Sequence, residues 1–265
     1  MHAKLIDWQL LMQLTWPPTL GRAAMWDGFA RRYDGYARLS EPYVAPQLAA
    51  LALQPGETLL DVGAGPGRLA IPAALQGAKV TALDVSASML GELQRNAQAA
   101  GAGNIDTVEL AWEDVRPGDN LQPHDVVLLS RSPAMRDLAK VDALARRAAY
   151  VMVYSGRSLK SFHDELVAGI EPAPPVQERP GLMSYVLVFN QLIDMGIEAH
   201  VDYLPDGFDK WYPDEDAAVA DFAWLDLPAG SEARFRANLA PWLQPEAGGL
   251  RLKMETRTAV VWWRK

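Results

Sequence analysis

The stretch that most constrains the fold is "LLDVGAGPGRL" at residues 59–69, an apolar run that stops at three glycines on alternate positions. The apolar run is typical of a buried strand, and a helical segment begins at Arg68. Glycine tolerates positive φ and has no Cβ. Gly63, Gly65 and Gly67 therefore predict a sharp strand-to-helix turn whose backbone amides can lie against a ligand.

A second signal lies one predicted strand further on. The stretch "KVTALDVSASML" at residues 79–90 runs apolar and then reaches Asp84. An acid at the tip of the second strand, about 20 residues past a glycine turn, suits hydrogen bonds to two ribose hydroxyls. The alternative is that Asp84 only caps the helix predicted over 86–100. The first interpretation indicates an adenosine ligand.

The glycine spacing separates two classes of nucleotide-binding protein. The dinucleotide fingerprint G-x-G-x-x-G would need its third glycine at position 68, which is Arg68. The observed G-x-G-x-G, with Asp61 two residues before it, resembles the first motif of class I S-adenosylmethionine-dependent methyltransferases. The resemblance covers about residues 55–155. It implies S-adenosyl-L-methionine as the cofactor and S-adenosyl-L-homocysteine as the product.

The resemblance also assigns positions around the cofactor. Related enzymes often carry an acid after the third strand that accepts from the adenine amine, but this chain has Ala111 there. Trp112 is then expected to stack on the purine, with Glu113 or Asp114 taking over the hydrogen bond, although plain packing is an equal alternative for Trp112. The cofactor-binding residues implied are Asp61, Gly63, Ala64, Gly65, Gly67, Asp84, Val85, Met89, Trp112, Glu113 and Ser130.

The acceptor side is less defined. The fourth strand ends in "SRSPAM", which places Ser130 and Arg131 beside the reactive sulfonium. The Asn/Asp-Pro-Pro-aromatic turn of methyltransferases that act on adenine or glutamine amino groups is absent there, which favours a small-molecule acceptor. Arg131 is a candidate for binding a substrate carboxylate. A solvated or helix-capping arginine is the alternative.

An aromatic stripe precedes the glycine turn. Trp26, Phe29, Tyr33 and Tyr36 follow one another at spacings of three and four residues and would share one helical face. Many small-molecule methyltransferases begin with a helix that bears "YD" or "WD" and folds over the cofactor. The stripe is thus a candidate substrate lid, and core packing is the alternative.

A dedicated general base is not evident from the sequence. The chain has four histidines and no cysteine, so it lacks thiolate metal sites and a cysteine nucleophile, and we expect no metal. His163 follows the fifth strand, where the chain leaves the carboxyl edge of the sheet, and is the histidine to test as a base. A solvent-facing helical position is its alternative. Catalysis by positioning alone is therefore expected.

The order of elements predicts an α/β fold. We expect a Rossmann-like, doubly wound sheet of seven mostly parallel strands with an antiparallel edge strand. N-terminal helices (1–45) would form a lid or substrate cap on a methyltransferase domain (46–265). A helical insertion of about 206–248 would separate the last two strands.

The composition limits the classes of binding partner that the chain can have. The formal net charge of −8 argues against nucleic acid, because phosphate binding relies on clustered Lys and Arg. The sequence shows neither a targeting segment nor an apolar run long enough to span a bilayer, which predicts a cytoplasmic protein. A non-catalytic protein that binds S-adenosylmethionine or S-adenosylhomocysteine for sensing or partner contact is the main alternative, and a dinucleotide oxidoreductase is a weaker one. The oligomeric state is left open.

Overall fold

A single eight-stranded sheet forms the centre of the computed structural model, which describes residues 6–15, 22–171 and 184–265. The strands are β1 (Thr58–Val62), β2 (Lys79–Asp84), β3 (Ile105–Glu109), β4 (His124–Ser130), β5 (Ala145–Tyr154), β6 (His200–Tyr212), β7 (Leu243–Glu246) and β8 (Gly249–Arg264). Their order is β3-β2-β1-β4-β5-β8-β6, with β7 paired to β8. Strands β1 to β5 run parallel, and β8 is antiparallel to β5, β6 and β7. The α/β class with a mostly parallel sheet is confirmed.

Helices cover both faces of the sheet, as a doubly wound fold requires. They are α1 (Trp8–Thr15), α2 (Ala23–Asp27), α3 (Ala30–Leu39), α4 (Val44–Ala50), α5 (Ala70–Leu75), α6 (Ala87–Ala100), α7 (Leu138–Leu144), α8 (Leu159–Leu166), α9 (Ser184–Asp194), α10 (Glu215–Asp221) and α11 (Glu232–Leu239). Within the described ranges, none of these helices has the length and apolar character needed to cross a membrane.

Two core clusters lie on opposite faces of the sheet. Along β4, Val127 and Leu129 join the cluster that packs on α7 and α9, whereas Val126 and Leu128 join the cluster that packs on α4, α5 and α6. All four are fully buried. Burial on both faces explains why the sequence of β4 is a continuous apolar run rather than an alternating one.

The last part of the chain differs from the prediction. The helical insertion was expected to begin at about residue 206, directly after the preceding strand. Instead β6 continues to Tyr212, and Gly207 passes so close to β8 that a Cβ on it would lie 1.8 Å from the Met254 carbonyl oxygen. Pro205 is tolerated because β6 is an edge strand.

The insertion is therefore shorter than predicted. Helices α10 and α11 and two short 3-10 turns lie between β6 and β7, and the additional strand β7 makes eight strands rather than seven. A third core cluster joins this insertion to α3, α8 and the ends of β6 and β8 that extend beyond β5. The insertion thus stands next to the carboxyl edge of the parallel strands.

Candidate active site

The glycine turn (residues 63–67) follows β1 in the chain and is hydrogen-bonded to the end of β2. Gly63 N–H donates to the Leu83 carbonyl oxygen at 2.7 Å, and Gly65 N–H donates to Oδ2 of Asp84 at 2.9 Å. Gly63 and Gly65 have φ of 74° and 54°. A Cβ on Gly63 would lie 2.5 Å from Oγ of Ser132. Glycine at position 63 is therefore required by both backbone conformation and space.

Asp84 is fixed by the backbone on both sides. Its Oδ1 accepts from Ser86 N–H at 3.0 Å, while Oδ2 accepts from Gly65. The N-cap of α6 is Ser86, whose Oγ accepts from Met89 N–H at 3.1 Å. The interpretation of Asp84 as that cap is wrong. Burial raises the pKa of the Asp84 carboxyl, and the backbone donors partly offset that shift. Each oxygen retains a lone pair with which it can accept from a ligand hydroxyl.

A cavity opens over the carboxyl ends of β1, β2 and β4, and most of the predicted site residues line it. The walls include residues of the glycine turn, of the β2–α6 connection, of the segment after β3 and of the N-terminal helices. The predicted residues in the lining are Trp26, Tyr33, Gly63, Gly65, Asp84, Val85, Met89, Trp112, Glu113, Ser130 and Arg131. The sequence motifs that were assigned separately thus come together at one place.

Three predicted cofactor residues, two of them in the turn itself, face the protein interior and are not in the cavity lining. Gly67 packs with its Cα toward Ile71 and Leu93, and Ala64 is buried. Asp61 is 2% exposed. Burial raises the pKa of Asp61 to about 7, with the nearby Arg68 guanidinium acting in the opposite direction. These residues pack the turn against the protein interior.

The aromatic stripe divides between the cavity and the core. Trp26 and Tyr33 line the cavity and meet edge to face, with ring centroids 6.0 Å apart. Tyr36 is 2% exposed and lies edge-on to Trp224 at 4.6 Å. Phe29 packs against the third core cluster. For Phe29 and Tyr36 the structure corrects the lid expectation, because the stripe is divided between α2 and α3 and does not share one helical face.

His163 contacts the core and not the cavity. Its Nδ1 lies 2.6 Å from the Tyr36 hydroxyl, and its ring lies edge-on to Phe29 at 5.7 Å. Burial lowers the pKa of His163, which favours the neutral imidazole. His163 is absent from the described cavity lining. The geometry therefore gives no support to His163 as a base that touches the acceptor.

Trp112 presents an unused donor. The side chain is 9% exposed, and its buried Nε1 has no hydrogen-bond partner among the described residues. Lys140 Nζ lies 5.1 Å from the ring centroid and donates to the Trp112 carbonyl oxygen at 2.6 Å. Glu113 pairs with Arg136 at 2.9 Å. An indole N–H left unpaired beside a cavity is a group that a bound ligand can satisfy.

The sequence analysis missed several residues of the site. Ser132, Pro133 and Ala134 follow β4 and line the cavity. The "SRSP" stretch already indicated a turn at this position, which was the available signal. Arg68 was used only to exclude a dinucleotide fingerprint. In the structure its guanidinium donates to Gln47 Oε1 at 2.8 Å and to Ser130 Oγ at 2.9 Å.

Comparison with known proteins agrees with this geometry. Residues 59–156 match the family described as "Methyltransferase domain". An uncharacterized protein of Haemophilus influenzae is 34% identical over 158 residues, 59% of this chain and 57% of the relative. The protein-L-isoaspartate O-methyltransferase of Methylorubrum populi is 34% identical over 113 residues, 42% of this chain and 50% of that enzyme. The chain thus spans less than two thirds of the length of either relative.

A solved structure shares the fold. The YcgJ protein of Bacillus subtilis superimposes with a TM-score of 0.53 and 13% identity, over 84% of this chain and 97% of that one. This likeness shows a shared fold, and the sequence match identifies a methyltransferase domain over residues 59–156, less than half of the chain. S-adenosylmethionine is the cofactor that the sequence motifs predict for this domain.

The residues present fit that cofactor. A Cβ on Gly65 would stand at 3.6 Å from Tyr33 and 4.0 Å from Met89 of the cavity lining, so the absence of a side chain there leaves room for a ligand. Asp84 offers two acceptor oxygens for the ribose hydroxyls, and Trp112 offers an unpaired N–H. Val85 and Met89 supply apolar contact on the same side of the cavity. We assign the adenosine part to this side, above β1, β2 and the segment after β3.

Proposed function

We propose that this chain transfers the methyl group of S-adenosylmethionine to a small-molecule acceptor. The observation that carries the proposal is the position of the N-terminal helices. Trp26 of α2 and Tyr33 of α3 form part of the cavity wall together with the glycine turn. A cavity walled by these side chains as well as by the sheet suits a small acceptor better than a polymer segment.

Two further features support a small acceptor. The net charge of −8 is unfavourable for binding nucleic acid. In addition, the turn after β4 is built from Arg131, Ser132 and Pro133 instead of the Asn/Asp-Pro-Pro-aromatic turn that the resemblance associates with planar amino groups. Both features concern the acceptor and leave the cofactor assignment unchanged.

The proposed chemistry requires little from the protein beyond positioning. The bound cofactor supplies an activated methyl group on a sulfonium, a good leaving group. The chain's own residues must hold the acceptor atom in line with that methyl, about 3–3.5 Å away. Tyr33, Ser130 and Arg131 lie in the cavity wall where they can orient the acceptor. The described part of the lining contains no histidine, so positioning is expected to dominate over general-base catalysis.

Screening of a metabolite extract tests this proposal. The protein is incubated with the extract and methyl-labelled S-adenosylmethionine, and label is followed into small-molecule, protein and RNA fractions. We expect label in the small-molecule fraction, and clearly less of it with Asp84→Ala at a cofactor concentration well below the Kd of that variant. Label only in protein or RNA would contradict the acceptor class. Tight binding of S-adenosylhomocysteine without any transfer would instead support a non-catalytic binding protein.

A further inference from the structure

Two buried guanidinium groups meet where β4 ends. The Arg131 side chain is 9% exposed, and the residue has a φ of 58°, unusual for a residue other than glycine. Its Nη2 lies 2.7 Å from Oδ2 of Asp206, and its guanidinium lies 4.0 Å from the centroid of the Tyr154 ring. Strained backbone of this kind is retained where surrounding contacts hold it, often at functional sites.

Arg68 is the second member of this arginine pair (Arg68 and Arg131). One of its terminal nitrogens donates to Gln47 and Ser130. The other terminal nitrogen, Nη1, is buried without a partner among the described residues, and the same holds for Nη1 of Arg131. The pKa of Arg68 is lowered to about 10, mainly by burial and to a smaller extent by the charge of Arg131. Both side chains stay charged at neutral pH and each has an unused donor.

The charges of the pair are only partly balanced by the protein. Asp206 is bonded to Arg131, and its side chain is fully buried. Its oxygens also accept from Thr258 Oγ1 at 2.5 Å and from Gly207 N–H at 2.7 Å. Asp61 is a second buried carboxylate near the Arg68 guanidinium, but burial raises its pKa to about 7, so at neutral pH it balances the second positive charge only in part. A buried excess of positive charge is costly unless an anion compensates it.

We propose that the arginine pair binds a carboxylate of the methyl acceptor, an inference that rests on the proposed function. Arginine presents N–H donors in a planar fork that matches the two oxygens of a carboxylate. The pair has two free donors, an excess positive charge and a place in or beside the cavity lining through Arg131 and Ser130. The substrate class is therefore small carboxylic acids.

The strand order separates the arginine pair from the adenosine part of the site. Arg131 extends from β4 toward Tyr154 of β5 and Asp206 of β6. Asp84 and Trp112, which we assign to the adenosine part, lie on the opposite side of β4, at β2 and after β3. The pair thus faces the part of the cavity that lies away from the adenosine.

Binding of probe acids to the full chain tests the proposal. Acetate, benzoate and indole-3-acetate are compared with their uncharged amides by calorimetry, on protein with and without saturating S-adenosylhomocysteine. We expect at least one acid to bind tenfold or more tightly than its amide. Two variants should lose the preference for the acid over the amide. Arg68→Gln leaves the contact of Arg131 with Asp206 intact. The double variant Arg131→Gln/Asp206→Asn removes both members of the ion pair, so that neither is left without its partner.

Arg95→Gln is the matched control, since Arg95 is an exposed arginine paired with Glu92 on α6, and it should keep the preference. The proposal is wrong if none of the acids binds the parent more tightly than its amide, or if both cavity variants keep the preference. It is also wrong if the variants lose the preference for S-adenosylhomocysteine over 5′-methylthioadenosine, because the pair would then bind the cofactor's own carboxylate. Failure of the parent to bind S-adenosylhomocysteine would instead contradict the proposed function. In that case the comparison of acids with amides on protein without ligand would still show whether the arginine pair binds a carboxylate.

Discussion

At the scale of single residues, Asp84 connects the fold to the ligand. It accepts from two backbone amides and also faces the cavity. Hydrogen bonds to charged groups contribute about 1.5–3 kcal/mol, so Asp84→Ala is expected to weaken S-adenosylhomocysteine binding tenfold or more. Isothermal calorimetry measures the change. Asp106→Ala, an exposed acid on β3, should bind as the parent does, and unchanged affinity in folded Asp84→Ala would contradict the ribose assignment.

Asp61 predicts a pH dependence of stability. Burial raises the pKa of Asp61 to about 7 in the folded protein, well above its ordinary value of 3.8. Between about pH 4 and 7 the folded state therefore binds more protons than the unfolded state, and the free energy of unfolding falls as pH rises through that window.

The variant Asp61→Asn removes this titration. Between pH 5 and pH 8, the parent should lose on the order of 2–4 kcal/mol more stability than the variant does. Urea unfolding at the two pH values gives both numbers. If parent and variant lose stability in parallel across this range, Asp61 is ionised throughout and the inferred pKa is wrong.

At the scale of elements, the N-terminal helices have different attachments. None of the five residues of α2, all of them described, is buried, whereas six of the ten residues of α3 are buried. Helix α2 is held to α6 by Asp27, whose Oδ1 accepts from Ser86 Oγ at 2.6 Å and from Ser88 N–H at 3.2 Å. The aromatic stripe is thus partly a cavity wall and partly core.

We therefore expect α2 to be the segment that responds to the cofactor. Segments with few buried contacts open at low free energy. Amide hydrogen exchange should be faster in α2 than in α3, and S-adenosylhomocysteine should slow it in α2. Asp27→Ala should accelerate exchange of α2 without changing α3. Exchange in α2 as slow as in α3, with and without the ligand, would assign both helices to rigid packing.

Sequence patterns predicted the elements whose determinants are local. The apolar run of β4, the glycine turn and Ser86 at the start of α6 depend on neighbours within a few residues, and the structure has all three. Ala145, Ala148 and Ala149 are buried in β5 although alanine favours helices, because tertiary packing overrides its propensity. The course of β6 through Asp206 and its contact with Arg131 depend on residues far apart in sequence. No local pattern contains that information.

At the scale of the whole molecule, the cavity is formed by segments from the N-terminal helices to the turn after β4. A ligand that binds only the folded state stabilises the protein by about 2.7 kcal/mol when its concentration is a hundred times Kd. For a chain of this size, such a stabilisation raises Tm by about 5–10 °C.

We expect this increase for S-adenosylhomocysteine and none for NADH at the same concentration. Differential scanning fluorimetry measures both, and Asp84→Ala should show a smaller increase at the same ligand concentration. An increase with NADH but not with S-adenosylhomocysteine would favour the dinucleotide alternative over the methyltransferase assignment.

The position of β8 between β5 and β6 leaves β5 without its outer partner during folding. Strand β5 ends at Tyr154, but the partner for its outer edge begins only at Gly249. Until that distant segment pairs, "YVMVY" at 150–154 is an open, apolar strand edge of the kind that recruits other chains. Changes that weaken β8 are therefore expected to reduce the yield of dispersed protein through aggregation, even where every residue of the cavity is intact.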